Sequence, residues 1–208
     1  MKSLMWFRND LRMDDNPALR EACKSSDEVH AIYIYSQNQN EKHNEANCKT
    51  EFFIENLKAL ESELSKINIP LTIINSEGFN DNPEIIFNFV QNNSLDKVSW
   101  NNQFGVDENE RDVSVQNYLT SKNIEFKNFD EQVVFAPGSI LTGEGKPYSV
   151  FTPFKRRWIE NFNLDLLDIE FEYTKKNATK TKSNVYEFDF QFKKNNQVDM
   201  SLWPAGEA

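Results

Sequence analysis

The chain has little cysteine and no long apolar run. Its 208 residues include only two cysteines, Cys23 and Cys48, which fit neither a disulfide framework nor a metal-ligand spacing. No stretch approaches the roughly 18 apolar residues that a membrane-spanning helix requires. The apolar run Leu4–Phe7 near the start is shorter than the core of a secretory signal peptide. These absences predict a reducing, cytoplasmic setting, no membrane contact and no metal site.

Positive charge is also scarce. The chain has 23 Lys and Arg residues against 33 Asp and Glu residues, which gives a net charge of −10 and a pI near 4.8. Non-specific DNA binding depends on the neutralisation of phosphates by Lys and Arg. We therefore expect this chain by itself to bind nucleic acid poorly.

Glycine, with six residues, builds neither of the usual phosphate-binding loops. No G-x-G-x-x-G motif follows the first predicted strand, so a glycine-type dinucleotide site is not expected. The segment Gly143-x-Gly145-Lys146 lacks the earlier glycine of a Walker loop, since Ile140 stands there, and Pro147 replaces the Ser/Thr. This segment is interpreted as a hairpin turn, and any ligand must be held by side chains and by a sheet edge.

The chain does contain a regular alternation of apolar strands and amphipathic helices. Runs rich in β-forming residues predict five strands, at 4–7, 29–35, 71–74, 97–101 and 124–129. Apolar residues at helical spacing predict helices between them, including 53–67, 84–91 and 107–121. This order predicts an α/β fold: a Rossmann-like open sheet of five parallel strands in the order 3-2-1-4-5, with helices on both faces.

Two details of that prediction concern the stretch after the second strand and the helix at 107–121. The polar stretch Ser36–Asn47 is expected to be a loop. The helix at 107–121 is expected to contact the core through Val106, Val113, Val115, Tyr118 and Leu119.

The chain changes in character after the sheet. We expect residues 1–130 to form the α/β core, and residues 131–173, with turn sequences and a short amphipathic helix at 154–162, to complete the same domain. Residues 174–208 are polar and low in periodicity, and we interpret them as an interdomain linker. The ending at Trp203-Pro204 indicates a chain cut at the entrance to a further domain.

Three loops are expected to meet at one sheet edge. In open α/β sheets, ligands bind at the carboxyl ends of the strands, where the strand order reverses. The loops after strands one, two and four carry Arg8–Arg12, His43 and the pair Asp107-Glu108. Each also has an ordinary structural interpretation: a local ion-pair network, a solvated histidine, and acidic residues at the positive end of a helix dipole. The residues alone leave both interpretations open.

Two dense motifs resemble one family. The first is W-F-R-x-D-L-R-x-x-D-N-P-A-L, from Trp6 to Leu19, and the second is Y-x-V-F-T-P-F-x-x-x-W, from Tyr148 to Trp158. Residues 101–112 and 203–208 are similar to further segments of the same family. Together they resemble the DNA photolyase/cryptochrome family, specifically the N-terminal domain of its bacterial class I cyclobutane pyrimidine dimer photolyases.

The resemblance implies a two-domain enzyme. Its α/β domain carries a light-harvesting antenna, while a helical C-terminal domain, expected to be absent from this chain, binds FAD and damaged DNA. There, photoexcited reduced FAD donates the electron that splits the dimer. No catalytic residue is therefore expected in this chain, which should be inactive in repair when alone.

The resemblance also implies a chromophore site. Folate-using members place a loop histidine and an Asn-Glu pair against methenyltetrahydrofolate, and the matching positions here are His43, Asp107 and Glu108. Asp107 departs from the expected Asn, and an ionised Asp accepts hydrogen bonds but donates none. Methenyltetrahydrofolate is the expected antenna, with FMN and 8-hydroxy-deazaflavin as alternatives.

Two other functions fit the same sequence features. One is the corresponding domain of a cryptochrome, a blue-light photoreceptor that acts without repair. The other is a stand-alone nucleotide- or flavin-binding module. The aromatic motif at 151–158 and Trp203 further predict a surface that packs on the absent domain and that favours self-association when uncovered.

Overall fold

The computed structural model describes residues 1–164, 171–190 and 199–207. Its strands are β1 (Lys2–Phe7), β2 (Glu28–Tyr35), β3 (Leu71–Asn75), β4 (Lys97–Asn101) and β5 (Glu125–Phe129). Its helices are α1 (Pro17–Ser25), α2 (Gln37–Lys42), α3 (Asn47–Lys66), α4 (Asn82–Asn93), α5 (Val106–Ser121) and α6 (Phe151–Asn161). Single 3₁₀ turns lie at Phe79–Asp81 and Met200–Leu202.

The strands form one sheet in which every pairing is parallel. Their order is β3-β2-β1-β4-β5, with β1 paired to β2 on one side and to β4 on the other. This confirms the predicted fold class and strand order. The chain runs outward from β1 to β3 and then returns to β4, so the order reverses beside β1.

Alternate side chains of β1 enter two separate hydrophobic cores. Met5 and Phe7 belong to a cluster that also contains residues of α1 and α3. Leu4 and Trp6 belong to a second cluster with residues of α4 and α5. Because side chains of a strand alternate between the faces of a sheet, the two clusters place helices on both faces, as predicted.

The stretch predicted to be a loop at 36–47 contains a helix. The Ser36 side chain accepts a hydrogen bond from the backbone N–H of Gln39 and caps the short helix α2. The polar composition concealed this helix because no residue of α2 is buried and no apolar periodicity marks it.

The expectation that Val106 and Val113 contact the core is wrong. Val106 is 75% exposed and Val113 is 44% exposed. The buried face of α5 instead carries Arg111, Val115 and Leu119, which are spaced four residues apart and therefore share one side of the helix.

The segment expected to be a linker packs on the domain where it is described. Val185 is buried in the first cluster. The Asn184 side chain accepts from Ile73 N at 2.6 Å and donates to Ile73 O at 3.0 Å. These bonds pair part of the outer edge of β3, which no neighbouring strand covers. The proposed boundaries at residues 130 and 173 stay a prediction.

Among the described residues, no helix combines the length and apolar character needed to span a membrane.

Asn101, the last residue of β4, joins three segments through buried hydrogen bonds. Its Nδ2 donates to Asp10 Oδ2 at 2.6 Å and to Asn16 Oδ1 at 2.9 Å. Its Oδ1 accepts from Ala18 N at 3.2 Å. The loop after β1 and the start of α1 are thereby fixed to the end of β4.

We predict that Asn101→Ala lowers the free energy of unfolding by about 2–4 kcal/mol, since each buried polar group left without a partner costs about 1–3 kcal/mol. Urea unfolding followed by circular dichroism measures this change. Asn117→Ala, at an exposed position of α5, is the control and should stay within about 0.5 kcal/mol of the unaltered chain. Equal effects of the two substitutions on the free energy of unfolding would contradict the role assigned to the Asn101 hydrogen bonds.

Candidate functional site

A cleft opens at the carboxyl ends of β1 and β2, at the edge predicted from the topology. Its cavity volume is about 210 Å³. One part of its lining is aromatic and comprises Trp6, Tyr33, Phe53 and Phe79. The other part is polar and includes Arg8, His43, Glu45, Lys49, Gln103, Glu108 and Arg111. The cleft can therefore bind a planar ring and also form hydrogen bonds to its edge.

Two buried arginines stack on the indole of Trp6. The guanidinium carbons of Arg8 and Arg111 lie 4.3 and 4.9 Å from the Trp6 ring centroid. Arg111 also lies 4.7 Å from the Phe79 ring centroid. Such cation–π contacts stabilise a guanidinium that burial has removed from water.

A single carboxylate oxygen serves both arginines. Asp112 Oδ1 accepts from Arg111 Nε at 3.0 Å and from Arg111 Nη2 at 2.7 Å. The same oxygen lies 3.4 Å from Arg8 Nη1. Burial lowers the pKa of Arg8 to about 10, and the attraction of Asp112 opposes that shift. Arg8 remains cationic at neutral pH because this value still lies far above 7.

Glu108 lies in the first turn of α5 and lines the cleft. Its carboxylate folds back over Gly105, and a Cβ at residue 105 would collide with Glu108 Oε2. Gly105 has φ −63° and ψ 153°, a backbone conformation open to any residue. The lack of a side chain at Gly105 leaves the room that the Glu108 carboxylate fills.

Asp107 contacts α2 and the residue that ends it. Its Oδ2 accepts from Lys42 Nζ at 2.7 Å and from Gln39 Nε2 at 3.5 Å, and lies 3.4 Å from His43 Nε2. The hydrogen bond and charge of Lys42 lower the pKa of Asp107. Three side chains from about one helical turn thus meet one oxygen atom of α5.

The structure therefore separates the three residues predicted to bind the chromophore. His43 and Glu108 both line the cleft. Asp107 is not among the lining residues and is paired with Lys42. The role of all three in ligand binding stays a prediction.

Sequence reasoning missed Arg111 and the aromatic wall. Arg111 is the only basic residue within α5, and it follows Glu108 by three positions, so the two side chains lie on neighbouring parts of one helix face. A lone arginine in an acidic helix was a usable signal. No comparable signal marked Phe53 or Phe79, because apolar residues at those positions are expected in any core.

We predict that Asp107→Ala loosens α2. Amide hydrogen exchange across residues 37–43 should become faster relative to intrinsic rates, while exchange in the middle of α5 should not change. Glu110→Ala, one turn further along α5 and exposed, is the matched control and should leave α2 unaffected.

The same contact should weaken in acid. A carboxyl group whose pKa is lowered by folding contributes stability above its unfolded pKa and loses it as the pH falls through the folded value. Protection of α2 should therefore persist at neutral pH and decrease only below the ordinary range of an aspartate pKa. Protection that is the same in Asp107→Ala and in the unaltered chain would contradict this.

The chain is similar in sequence to known photo-lyases. It is 36% identical over 164 residues to the deoxyribodipyrimidine photo-lyase of Salmonella typhimurium (strain LT2), which covers 78% of this chain and 34% of the relative. It is 37% identical over 158 residues to the protein of the same name from Escherichia coli (strain K12), which covers 76% of this chain and 33% of the relative. The chain thus spans about one third of the length of these relatives.

A structural relative and a family profile agree with these matches. The crystal structure of a bacterial class III photolyase from Agrobacterium tumefaciens superposes with a TM-score of 0.72 and 25% sequence identity, covering 88% of this chain and 36% of that one. The protein-family profile described as DNA photolyase matches residues 3–175. This match extends over most of the sequence, and the chain belongs to the DNA photolyase family.

Proposed function

We propose that this chain is the antenna-binding domain of a deoxyribodipyrimidine photolyase and that its cleft holds a light-harvesting chromophore, methenyltetrahydrofolate. One observation carries the proposal: the cleft at the reversal of strand order combines an aromatic wall with the Glu108 carboxylate above Gly105. The sequence resemblance independently matched Glu108 and His43 to chromophore contacts.

The residues of the cleft fit a planar heteroaromatic ring. Trp6, Tyr33, Phe53 and Phe79 supply apolar surface for its faces. Glu108 supplies a charged acceptor for the adjacent N–H donors of a pterin, and such bonds are shorter and stronger than neutral ones. When bound, the chromophore would absorb near-ultraviolet light and pass the energy to the flavin. FMN and 8-hydroxy-deazaflavin also offer a flat ring with an N–H group, and they remain the alternatives.

We assign the repair chemistry to the whole protein rather than to this chain. In that proposal, FAD and damaged DNA are bound by a further helical domain, and light-driven electron transfer from reduced FAD splits the pyrimidine dimer. The net charge of −10 supports a minor role of this chain in DNA binding. The names of the curated relatives favour a repair enzyme over a cryptochrome photoreceptor or a stand-alone flavin module.

Several residues that follow β5 in the chain expose apolar side chains, which is evidence for an interdomain surface. Val150, Phe151 and Ile159 are 59%, 72% and 56% exposed, and Trp203 is 62% exposed. No residue of α6 is buried. Because contiguous apolar surface on a protein marks an interaction site, we propose that α6 packs on the FAD-binding domain.

We predict that Glu108→Ala weakens the binding of methenyltetrahydrofolate by about 10- to 150-fold. A hydrogen bond to a charged acceptor contributes roughly 1.5–3 kcal/mol, and 1.4 kcal/mol is a factor of ten in affinity. Near-ultraviolet absorbance of the added chromophore measures the dissociation constant. Glu110→Ala, also acidic and in the second turn of α5, should bind like the unaltered chain. If both variants bind equally well, the assignment of Glu108 is wrong.

We further predict that the chain self-associates through α6. Interdomain surfaces bury on the order of 600–1,500 Å², and an uncovered apolar area of that size favours dimers. Sedimentation velocity at increasing concentration should show dimers that the double substitution Phe151→Ser and Ile159→Ser removes. Val113→Ser, at an exposed valine of α5, should leave them in place. A chain that is monomeric at every concentration would count against this surface.

A further inference from the structure

Arg8 has hydrogen-bond donors that none of the described residues satisfies. The residue is only 5% exposed, and it lines the cleft. Its Nη1 faces Asp112, but the buried Nε and Nη2 atoms have no partner within residues 1–164, 171–190 and 199–207. A buried donor without an acceptor is costly, and more so on a charged group. An acceptor on a ligand in the cleft would satisfy these donors.

Arg111 is buried and stacks on Trp6 as Arg8 does, but its hydrogen-bond donors have partners. Burial and stacking therefore do not explain why donors of Arg8 lack them within the described ranges. It is buried to the same extent as Arg8, at 5% exposure. Its Nε donates to Asp112, and its Nη2 donates to both Asp112 and Gln103, the latter at 2.8 Å. The described residues thus satisfy one member of the pair and leave the other with two buried nitrogen atoms, Nε and Nη2, that have no partner.

A second unpartnered group in the cleft has the opposite polarity. Asn82, the first residue of α4, is 3% exposed and lines the cleft. Its Oδ1 is buried and accepts no hydrogen bond from the part of the chain that the structure describes. An anion without a proton, such as chloride or a carboxylate, would satisfy Arg8 but would donate nothing to Asn82. A ligand with both a carbonyl oxygen and an N–H group satisfies both.

We propose that Arg8 is a ligand-binding residue that donates from Nε and Nη2 to the carbonyl oxygen of a cyclic lactam in the chromophore ring, while Asn82 Oδ1 accepts from an N–H of the same ligand. Cyclic lactam carbonyls occur in pterins, flavins and deazaflavins, so the Arg8 contact does not depend on which antenna is bound. The Asn82 contact, in addition to that of Glu108, needs a second N–H group, which a pterin has. The inference rests on the proposed function, since it assigns contacts to the chromophore cleft.

The first test is nuclear magnetic resonance of the unaltered chain labelled with ¹⁵N-arginine and ¹³C. The Nε–H signals of Arg8 and Arg111 are assigned through bonds from the backbone, which requires no variant. Methenyltetrahydrofolate, riboflavin, FMN and inorganic phosphate are then added separately. We expect a ring-bearing probe to shift the Arg8 signal more than the Arg111 signal, and phosphate alone to shift neither. Riboflavin and FMN share the ring carbonyls and differ in the phosphate, so they separate recognition of the ring from recognition of the anion.

The second test compares the binding of two matched variants. Arg8→Lys keeps the charge but removes the Nε and Nη2 donors, and it should weaken chromophore binding by about 10- to 150-fold. Arg111→Lys perturbs the same stack on Trp6. Any loss of chromophore affinity that comes from a loosened stack therefore appears in both variants. If Arg8 binds the ligand, Arg8→Lys loses more chromophore affinity than Arg111→Lys does. Urea unfolding checks that the two variants are comparably stable.

The outcomes distinguish the inference from the proposed function. If a chromophore binds and the Arg8 signal does not move, Arg8 is satisfied within the protein by Asp112, and the inference is wrong while the antenna function stands. If phosphate shifts Arg8 as strongly as riboflavin does, the site recognises an anion and the lactam assignment is wrong. If none of the chromophores binds, the proposed function fails and the inference fails with it.

Discussion

The buried hydrogen bonds of Asn101 are the constraint on which the cleft depends. They hold Asp10 and Asn16, and Asp10 in turn accepts a hydrogen bond from the backbone N–H of Arg8 at 2.8 Å. The backbone position of Arg8 is therefore fixed by a residue at the end of a neighbouring strand. Because buried polar groups tolerate little loss of their partners, the loop after β1 cannot move without breaking contacts to β4 and α1. The floor of the cleft is thus as rigid as the sheet.

Trp6 connects the hydrophobic core to the polar chemistry of the cleft. Its indole is 1% exposed and packs against Trp100 at a centroid distance of 5.9 Å. It also lies beneath the guanidinium groups of Arg8 and Arg111. Two buried cations are costly even beside the carboxylates of Asp112 and Asp10, and the indole face offsets part of this cost. The tryptophan therefore both stabilises the core and permits two positive groups to remain inside a chain whose net charge is −10.

The sequence predicted the fold because strand and helix periods are local properties of the chain. The alternation of apolar segments indicated the parallel sheet, and β4 matched its predicted bounds. Features that depend on tertiary contacts were not visible. Helix α2 has no apolar periodicity, the exposure of Val106 follows from the rotation of α5, and the packing of Asn184 on β3 depends on a residue about 110 positions away. In the site, Glu108 was found by position and by family resemblance, whereas the unsatisfied nitrogens of Arg8 appear only when its neighbours are known.

Asp107 illustrates how a departure from a family pattern acquires a physical meaning. An asparagine at this position could donate as well as accept, whereas the ionised carboxylate of Asp107 only accepts. Its Oδ2 receives hydrogen bonds from Lys42 and Gln39 and lies near His43. The carboxylate therefore acts within the protein, between α5 and α2. In the site that we propose, Glu108 would accept from the donors of the ligand and Arg8 would donate to its acceptors, two groups of opposite charge held by α5 and by the end of β1. A site built in this way discriminates between ligands by the order of donors and acceptors along the ring edge, more than by the shape of its aromatic wall.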